Sequence, residues 1–142
     1  MPRRIITLEV DDLIGALRRV PLLEACGEQD LRDIAARAHV LTFTDGEIIV
    51  PEGEEGLGFY LILAGRVRVE HDDVVVNRLG KDDFFGEIAL LEDRPRVANV
   101  VADGEATCLG ILRSFFRPLL VRNPRLALTI LDEEARRLGT VG

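Results

Sequence analysis

The segment from Phe84 to Val100, FFGEIALLEDRPRVANV, holds the residues best suited to bind a small anion. Arg96 offers a planar guanidinium whose donors match phosphate oxygens, and Pro95 stiffens the approach to it. Glu87 only accepts hydrogen bonds, so it suits the hydroxyls of a sugar and would repel a phosphate. An arginine and a glutamate in one pocket could therefore bind the two ends of a ribose phosphate.

The same segment predicts one helical turn between Glu87 and Leu91, directly after Gly86. The start of a helical turn presents unpaired backbone N–H groups, which favour an anion. Gly86 lets the backbone approach a ligand closely. A lone turn is costly in isolation, so its presence among strands indicates a binding role. Arg96 follows where the strand pattern resumes, and the loop can fold back over the turn.

The region from about His39 to Leu112 predicts short strands, because turn residues interrupt its apolar runs at close intervals. Strict alternation in Arg66–Glu70 predicts one buried face and one solvent face. This pattern is typical of a sandwich, barrel or jelly roll. The predicted strands are Glu47–Val50, Phe59–Leu63, Arg66–Glu70, Val74–Leu79, Val97–Ala102 and Thr107–Leu112, with turns at Ala64-Gly65, Asp72-Asp73, Gly80 to Asp83 and Asp103-Gly104.

Helices are predicted on both sides of the strands, since apolar residues there repeat at helical spacing. Ser114 is expected to cap a short helix through Val121, and Asn123 with Pro124 to begin a last helix that stops at Gly139. We expect a single domain over residues 1–142, with an N-terminal helical segment (1–38), a strand region (39–112) and C-terminal helices (113–142). The apolar repeats are Leu13, Ile14 and Leu17; Leu31, Ile34, Ala35 and Ala38; and Leu128, Leu131, Ala135 and Leu138.

Bulk properties exclude several classes of function. The 142 residues carry a net charge of −7, which argues against direct DNA binding by this chain. No apolar run is long enough for a membrane span or a signal peptide, so a cytoplasmic location is expected. His39 and His71 are too few and too separated for a metal cluster, and Cys26 and Cys108 are interpreted as core residues. No catalytic triad or carboxylate pair is evident, and we expect no enzyme activity.

The segment from residue 84 to 100 resembles the phosphate-binding cassette of the cyclic nucleotide-binding domain family, the type found in catabolite activator protein and protein kinase A regulatory subunits. The resemblance extends to residues upstream and covers about residues 12 to 138. The matching stretches are Phe85–Leu90, Pro95–Val100, Asp45–Gly53 and Phe59–Val67.

The resemblance implies a mainly β fold with flanking helices, an eight-stranded jelly-roll β-roll. It implies that Glu87 binds the ribose 2′-hydroxyl, that Arg96 pairs with the cyclic phosphate, and that the base packs on apolar residues of the roll. The last helix would close over the base, with Arg136 and Arg137 as lid residues. The implied ligand-binding residues are Phe85, Gly86, Glu87, Ile88, Ala89, Leu90, Pro95, Arg96, Val97 and Ala98.

The expected function is a regulatory sensor of a cyclic mononucleotide, whose C-terminal helix changes position on binding. Val97 lacks the hydroxyl that in the family favours guanine, so the resemblance favours cyclic AMP as the ligand, with cyclic GMP as the alternative. Asn99 stands where the family usually has Ser or Thr. No cofactor is expected, and a second copy or an effector domain is the expected protein partner.

Three other functions are alternatives to the sensor. A β-roll that has lost its ligand could serve as a protein-interaction module, and Val97 and Asn99 are the residues that allow it. A transcription regulator would need a helix-turn-helix beyond residue 142. A metal-dependent jelly-roll enzyme would need more clustered histidines.

Overall fold

The computed structural model describes residues 4–6, 10–20, 23–24, 26–50, 58–85 and 98–141. They form a seven-stranded antiparallel sheet with helices before and after it, which confirms the predicted mainly β fold with flanking helices. The strands are β1 (Arg4–Ile6), β2 (His39–Phe43), β3 (Ile48–Val50), β4 (Gly58–His71), β5 (Val74–Leu79), β6 (Phe84–Phe85) and β7 (Asn99–Leu112). The helices are α1 (Val10–Arg18), α2 (Glu28–Arg37), α3 (Arg113–Arg122) and α4 (Pro124–Val141).

Two long strands, β4 and β7, organise the sheet. Each has 14 residues, and they pair with each other from Gly58 opposite Leu112 to Glu70 opposite Asn99. The strand order is β1-β2-β7-β4-β5, with β3 also on β7 and β6 also on β4. Every other strand therefore pairs with β4 or β7, except β1, which pairs with β2.

Two predicted turns are wrong, because the chain stays in the sheet at both. Gly65 (φ +83°) lies inside β4 and Gly104 (φ +82°) inside β7. Where Gly65 pairs with Ala106 and Val67 with Ala102, three residues of β7 lie opposite one residue of β4. A bulge of this kind bends a strand without ending its pairing. The left-handed glycines therefore mark bends in continuous strands rather than strand ends.

The turns at the two ends of β5 agree with the prediction. Asp72 (φ 51°) and Asp73 (φ 62°) join β4 to β5, and two left-handed central residues match the twist of a tight hairpin. At the other end, the Gly80 backbone N–H donates to the Asp83 carboxylate at 2.8 Å. The backbone N–H of Asp82 donates to the Ile62 carbonyl at 2.9 Å, which ties this turn to β4.

The sheet separates two apolar cores. On one side, the helices cover a cluster that includes Leu17 of α1, Ile34 of α2 and Leu109 of β7, as the predicted amphipathic faces require. On the other side, the strands enclose an interior cluster of their own. Its buried members are Phe43, Ile49, Ile62, Val67, Leu79, Phe85, Val100, Ala102, Ala106 and Cys108.

The N-terminal segment contains a feature that its helical prediction missed. Residues 4–6 form β1 and pair with β2, with Ile5 opposite Leu41. Both cysteines are free. Burial raises the pKa of Cys108 to about 12 and that of half-buried Cys26 to about 11, so both thiols stay protonated near neutral pH.

The C-terminal helices differ from prediction in their ends and their buried face. Ser114 lies inside α3, which begins after Leu112 without a side-chain cap. The start of α4 at Pro124 is confirmed, but α4 continues past Gly139 to Val141, since one glycine costs a helix only about 1 kcal/mol. Among the described side chains of α4, Leu126 and Ile130, spaced by four, are buried, whereas Leu128 and Leu131 are 59% and 49% exposed.

Candidate functional site

Most of the predicted site lies outside the described residues: Gly86, Glu87, Ile88, Ala89, Leu90, Pro95, Arg96 and Val97. Phe85 and Ala98 are described and lie at the two ends of this segment. The structure therefore defines where the segment leaves the sheet, where it returns, and what surrounds both points.

The segment leaves the sheet from β6, which is held by aromatic stacking on both faces. The Phe85 ring stacks on Tyr60 of β4, with centroids 5.0 Å apart and planes 11° apart. The Phe84 ring stacks on Phe59 at 5.6 Å. Phe84 belongs to the helical core and Phe85 to the interior core. Phe85 is only 3% exposed, so its ring holds the start of the segment from within the protein.

The segment returns at the start of β7, at the opposite end of the same partner strand. Ala98 is half-buried, Asn99 pairs with Glu70 and Val100 pairs with Val69. The first end of the segment is opposite Tyr60 instead. Strand β4 therefore carries both ends of the segment, ten positions apart.

An apolar wall lies beside the point of return. Val67 and Val100 are buried in the interior core, and Val69 packs against that core. The alternation in Arg66–Glu70 correctly predicts this buried face, although it does not by itself identify these valines as site residues. An apolar surface next to a few polar groups is the usual lining of a small-molecule site.

The outer face of the same strands carries a cluster of ion pairs. Arg68 contacts Glu70 (Nε to Oε2, 2.6 Å) and Asp103 (3.3 Å), and Arg78 contacts Asp103 at 2.9 Å. The hydrogen bond to Glu70 is the largest of the effects that raise the pKa of Arg68. Successive side chains of a strand point to opposite faces, so Arg68 lies on the face opposite Val67 and Val69. Its guanidinium therefore pairs with carboxylates outside the roll. Neither of these two arginines is available to an anion in the interior.

A polar junction holds the start of α4 to α2. The Asn123 side-chain amide donates to Asp30 at 3.0 Å and to the Leu119 carbonyl at 3.1 Å. Arg122 contacts Asp30 at 3.3 Å. Arg136 and Arg137 lie within α4, but their side chains are outside the described part of the chain. Their predicted role as a lid therefore stays a prediction.

The described residues lack two kinds of feature. No helix among them is both long and apolar enough to span a bilayer. Within those same ranges, no three histidine, cysteine, aspartate or glutamate side chains are grouped to hold a metal ion.

Comparisons with known proteins identify a family. The sequence model of the cyclic nucleotide-binding domain matches residues 40–123. The chain is 37% identical over 111 residues to the cAMP-dependent protein kinase regulatory subunit of Dictyostelium discoideum. That match covers 72% of this chain and 34% of the relative, so the chain spans about a third of the relative's length.

Solved structures share the architecture, including the β-roll. A cyclic AMP-bound structure of PfPKA-R superposes with a TM-score of 0.82 at 27% identity, covering 94% of this chain and 47% of that one. The regulatory subunit of a cAMP-independent protein kinase A from Trypanosoma cruzi, bound to guanosine, superposes with a TM-score of 0.73 at 28% identity. That second match covers 78% of this chain and 41% of the other.

Proposed function

The chain belongs to the cyclic nucleotide-binding domain family, and on this basis we propose that it is a regulatory sensor that binds cyclic AMP. The observation that carries the proposal is the position of the cassette-like segment. Both of its ends are held on β4, and its returning end lies beside the apolar wall of Val67, Val69 and Val100. A phosphate-binding segment next to an apolar wall can hold the two halves of a nucleotide.

We assign the cyclic phosphate to Arg96 and the ribose 2′-hydroxyl to Glu87. The charges of the described arginines support the first assignment. Arg68 and Arg78, the arginines paired across β4 and β5, already bind carboxylates on the outer face. The chain is acidic overall, with a net charge of −7, so an anion needs a local cation that is not already paired. Arg96 has the right type and sequence position to be that cation.

A nucleoside is the second candidate ligand, because the guanosine-bound relative from Trypanosoma cruzi is described as cAMP-independent. Both ligands would place a base on the apolar wall, and they differ in the cyclic phosphate. Arg96 and Val97 favour a phosphate and an adenine, respectively, and therefore favour cyclic AMP.

Thermal unfolding with added ligand tests the proposal. We expect cyclic AMP at ten times its dissociation constant to stabilise the chain by about 1.4 kcal/mol, and cyclic GMP to need a higher concentration for the same effect. Guanosine and adenosine are the controls that lack the phosphate. Stabilisation by a nucleoside but not by cyclic AMP would replace the proposed ligand. If no nucleotide or nucleoside stabilises the chain, the roll is an interaction module instead.

We also propose that the C-terminal helix responds to the ligand by moving at Asn123, where α3 ends and α4 begins. The carboxylate of Asp30 on α2 accepts from Asn123 and contacts Arg122. Because both residues lie at the junction, this single carboxylate holds the orientation of α4 relative to α2. A ligand that binds two orientations with different affinity would shift the balance between them.

Replacing Asp30 with alanine should loosen this junction. The lost hydrogen bond to a charged group is worth about 1.5–3 kcal/mol, so amide exchange at Asn123 and at residues 125–127 should accelerate roughly 10- to 100-fold. Hydrogen exchange of the ligand-free chain measures this directly. Asp33→Ala is the matched control, since that carboxylate reaches Arg122 only at 3.9 Å. Equal exchange rates in the two variants would contradict a hinge held by Asp30.

A further inference from the structure

A cavity of about 420 Å³ lies between α1 and the sheet, on the helical side rather than inside the roll. Leu13 and Val40, two of its lining residues, belong to the helical core. Its volume falls within the roughly 300–1,000 Å³ typical of small-molecule sites. The described residues that line it are Leu13, Ala16, Arg19, Val40, Leu63, Lys81, Asp82 and Thr107.

The lining divides into an apolar floor and a charged rim. Leu13 and Val40 are each 4% exposed, and Leu63 packs against the same core. Arg19 and Lys81 are exposed, and neither forms an ion pair with another residue in the described ranges. Two cations without an ion pair in the described ranges therefore lie at one apolar cavity, in a chain with a net charge of −7.

We propose that this cavity binds a small amphipathic monoanion, such as an aliphatic or aromatic carboxylate. Its apolar body lies on Leu13, Val40 and Leu63, and its charged group lies between Arg19 and Lys81. Asp82 also lines the cavity, so two cations and one carboxylate leave the rim with a net charge of +1. That balance matches a monoanion better than a dianion. The site is separate from the proposed nucleotide site, because the sheet lies between them.

The chain offers a site-specific chemical readout, because Lys81 is its only lysine. We choose 8-anilinonaphthalene-1-sulfonate as the probe, since it is an aromatic monoanion whose fluorescence rises in an apolar site. On the folded chain we expect saturable fluorescence. We also expect the probe to slow acetylation of the Lys81 amine, read by mass spectrometry of the intact protein and its peptides.

Charge variants test the assignment of the rim. Lys81→Glu should weaken probe binding roughly 5- to 10-fold, as the loss of a charged contact predicts. Asp82→Asn should strengthen it about 2- to 5-fold. Asp82 has a φ of 74°, which asparagine tolerates, so the turn is kept. Arg125→Glu is the matched control: Arg125 is exposed on α4, does not line the cavity and changes the net charge equally.

Three results would overturn the proposal: equal probe affinity in Lys81→Glu and Arg125→Glu, no protection of Lys81 by the probe, or displacement of the probe by cyclic AMP. The last would assign the probe to the interior of the roll. A chain that binds the probe as expected but no nucleotide would leave this site intact while rejecting the proposed sensor function. A cooperative thermal transition in each variant shows that the probe reports a folded protein.

Discussion

Replacing Arg96 with alanine is expected to weaken the binding of cyclic AMP by roughly 10- to 100-fold. A hydrogen bond to a charged group contributes about 1.5–3 kcal/mol, and each 1.4 kcal/mol is a tenfold change in affinity. The loss should be large because two described arginines of the neighbouring strands are already paired: Arg68 and Arg78 contact Glu70 and Asp103 on the outer face. Neither Arg68 nor Arg78 can take over the phosphate without breaking that cluster.

Titration calorimetry of the folded variant measures the effect. Arg66→Ala is the matched control, because Arg66 is exposed on β4 and the same charge is removed away from the interior. Adenosine provides a second comparison, since it lacks the phosphate and its affinity should be equal for the wild-type chain and Arg96→Ala. Unchanged affinity of Arg96→Ala for cyclic AMP would remove the assignment of the phosphate to this residue.

The phosphate chemistry predicted for the site depends on a local sequence pattern, whereas its apolar surroundings do not. Gly86, Glu87, Pro95 and Arg96 lie within eleven positions, so their spacing can be recognised without knowing the fold. The apolar wall instead depends on pairing across the sheet, with Val69 of β4 opposite Val100 of β7. A local pattern marks each valine as buried, but only the strand register brings them together beside the segment.

The sequence alone also does not show which charged side chains are available to a ligand. Arg68 and Arg96 are chemically identical in the sequence, and both lie in or next to a predicted strand. Contacts with Glu70 and with Asp103, which is distant in the sequence, hold the Arg68 side chain on the outer face. Long-range pairing therefore decides which arginine is available to a ligand, and the residue types alone do not.

Glycine explains the two turns that are predicted wrongly within β4 and β7. Gly65 and Gly104 have the left-handed backbone that a turn would use, and the sequence prediction places turns there. In the structure the same conformation occurs in bulges instead of turns, because β4 and β7 remain paired on both sides of the irregularity. Asp72 and Asp73 have the same sign of φ and do form a hairpin, since the chain beyond them pairs back on β4.

These bulges predict that Gly65→Ala destabilises the fold far more than Gly104→Ala does. The two glycines have nearly the same φ, +83° and +82°, so an alanine at either one carries a similar left-handed cost of about 1–2 kcal/mol. A Cβ at Gly65 would lie 2.1 Å from the Glu105 carbonyl oxygen and 2.9 Å from the Ala106 Cα, whereas a Cβ at Gly104 meets nothing within 4 Å. Overpacking adds about 1–3 kcal/mol, so we expect a total of roughly 2–5 kcal/mol for Gly65→Ala.

Urea unfolding of the two variants separates the clash from the backbone strain, because the strain is common to both and the clash is not. The atoms in the way at Gly65 are backbone atoms of β7, which cannot rotate aside as a side chain can. Relief would require β4 and β7 to move apart at the bulge, and their pairing on both sides opposes that movement. Equal losses in the unfolding free energy of the two variants, at equal m-values, would mean that the strands are not in close contact at this bulge. A larger loss for Gly65→Ala would show that the bend in β4 is locked by β7, the strand at which the segment proposed to bind phosphate returns to the sheet.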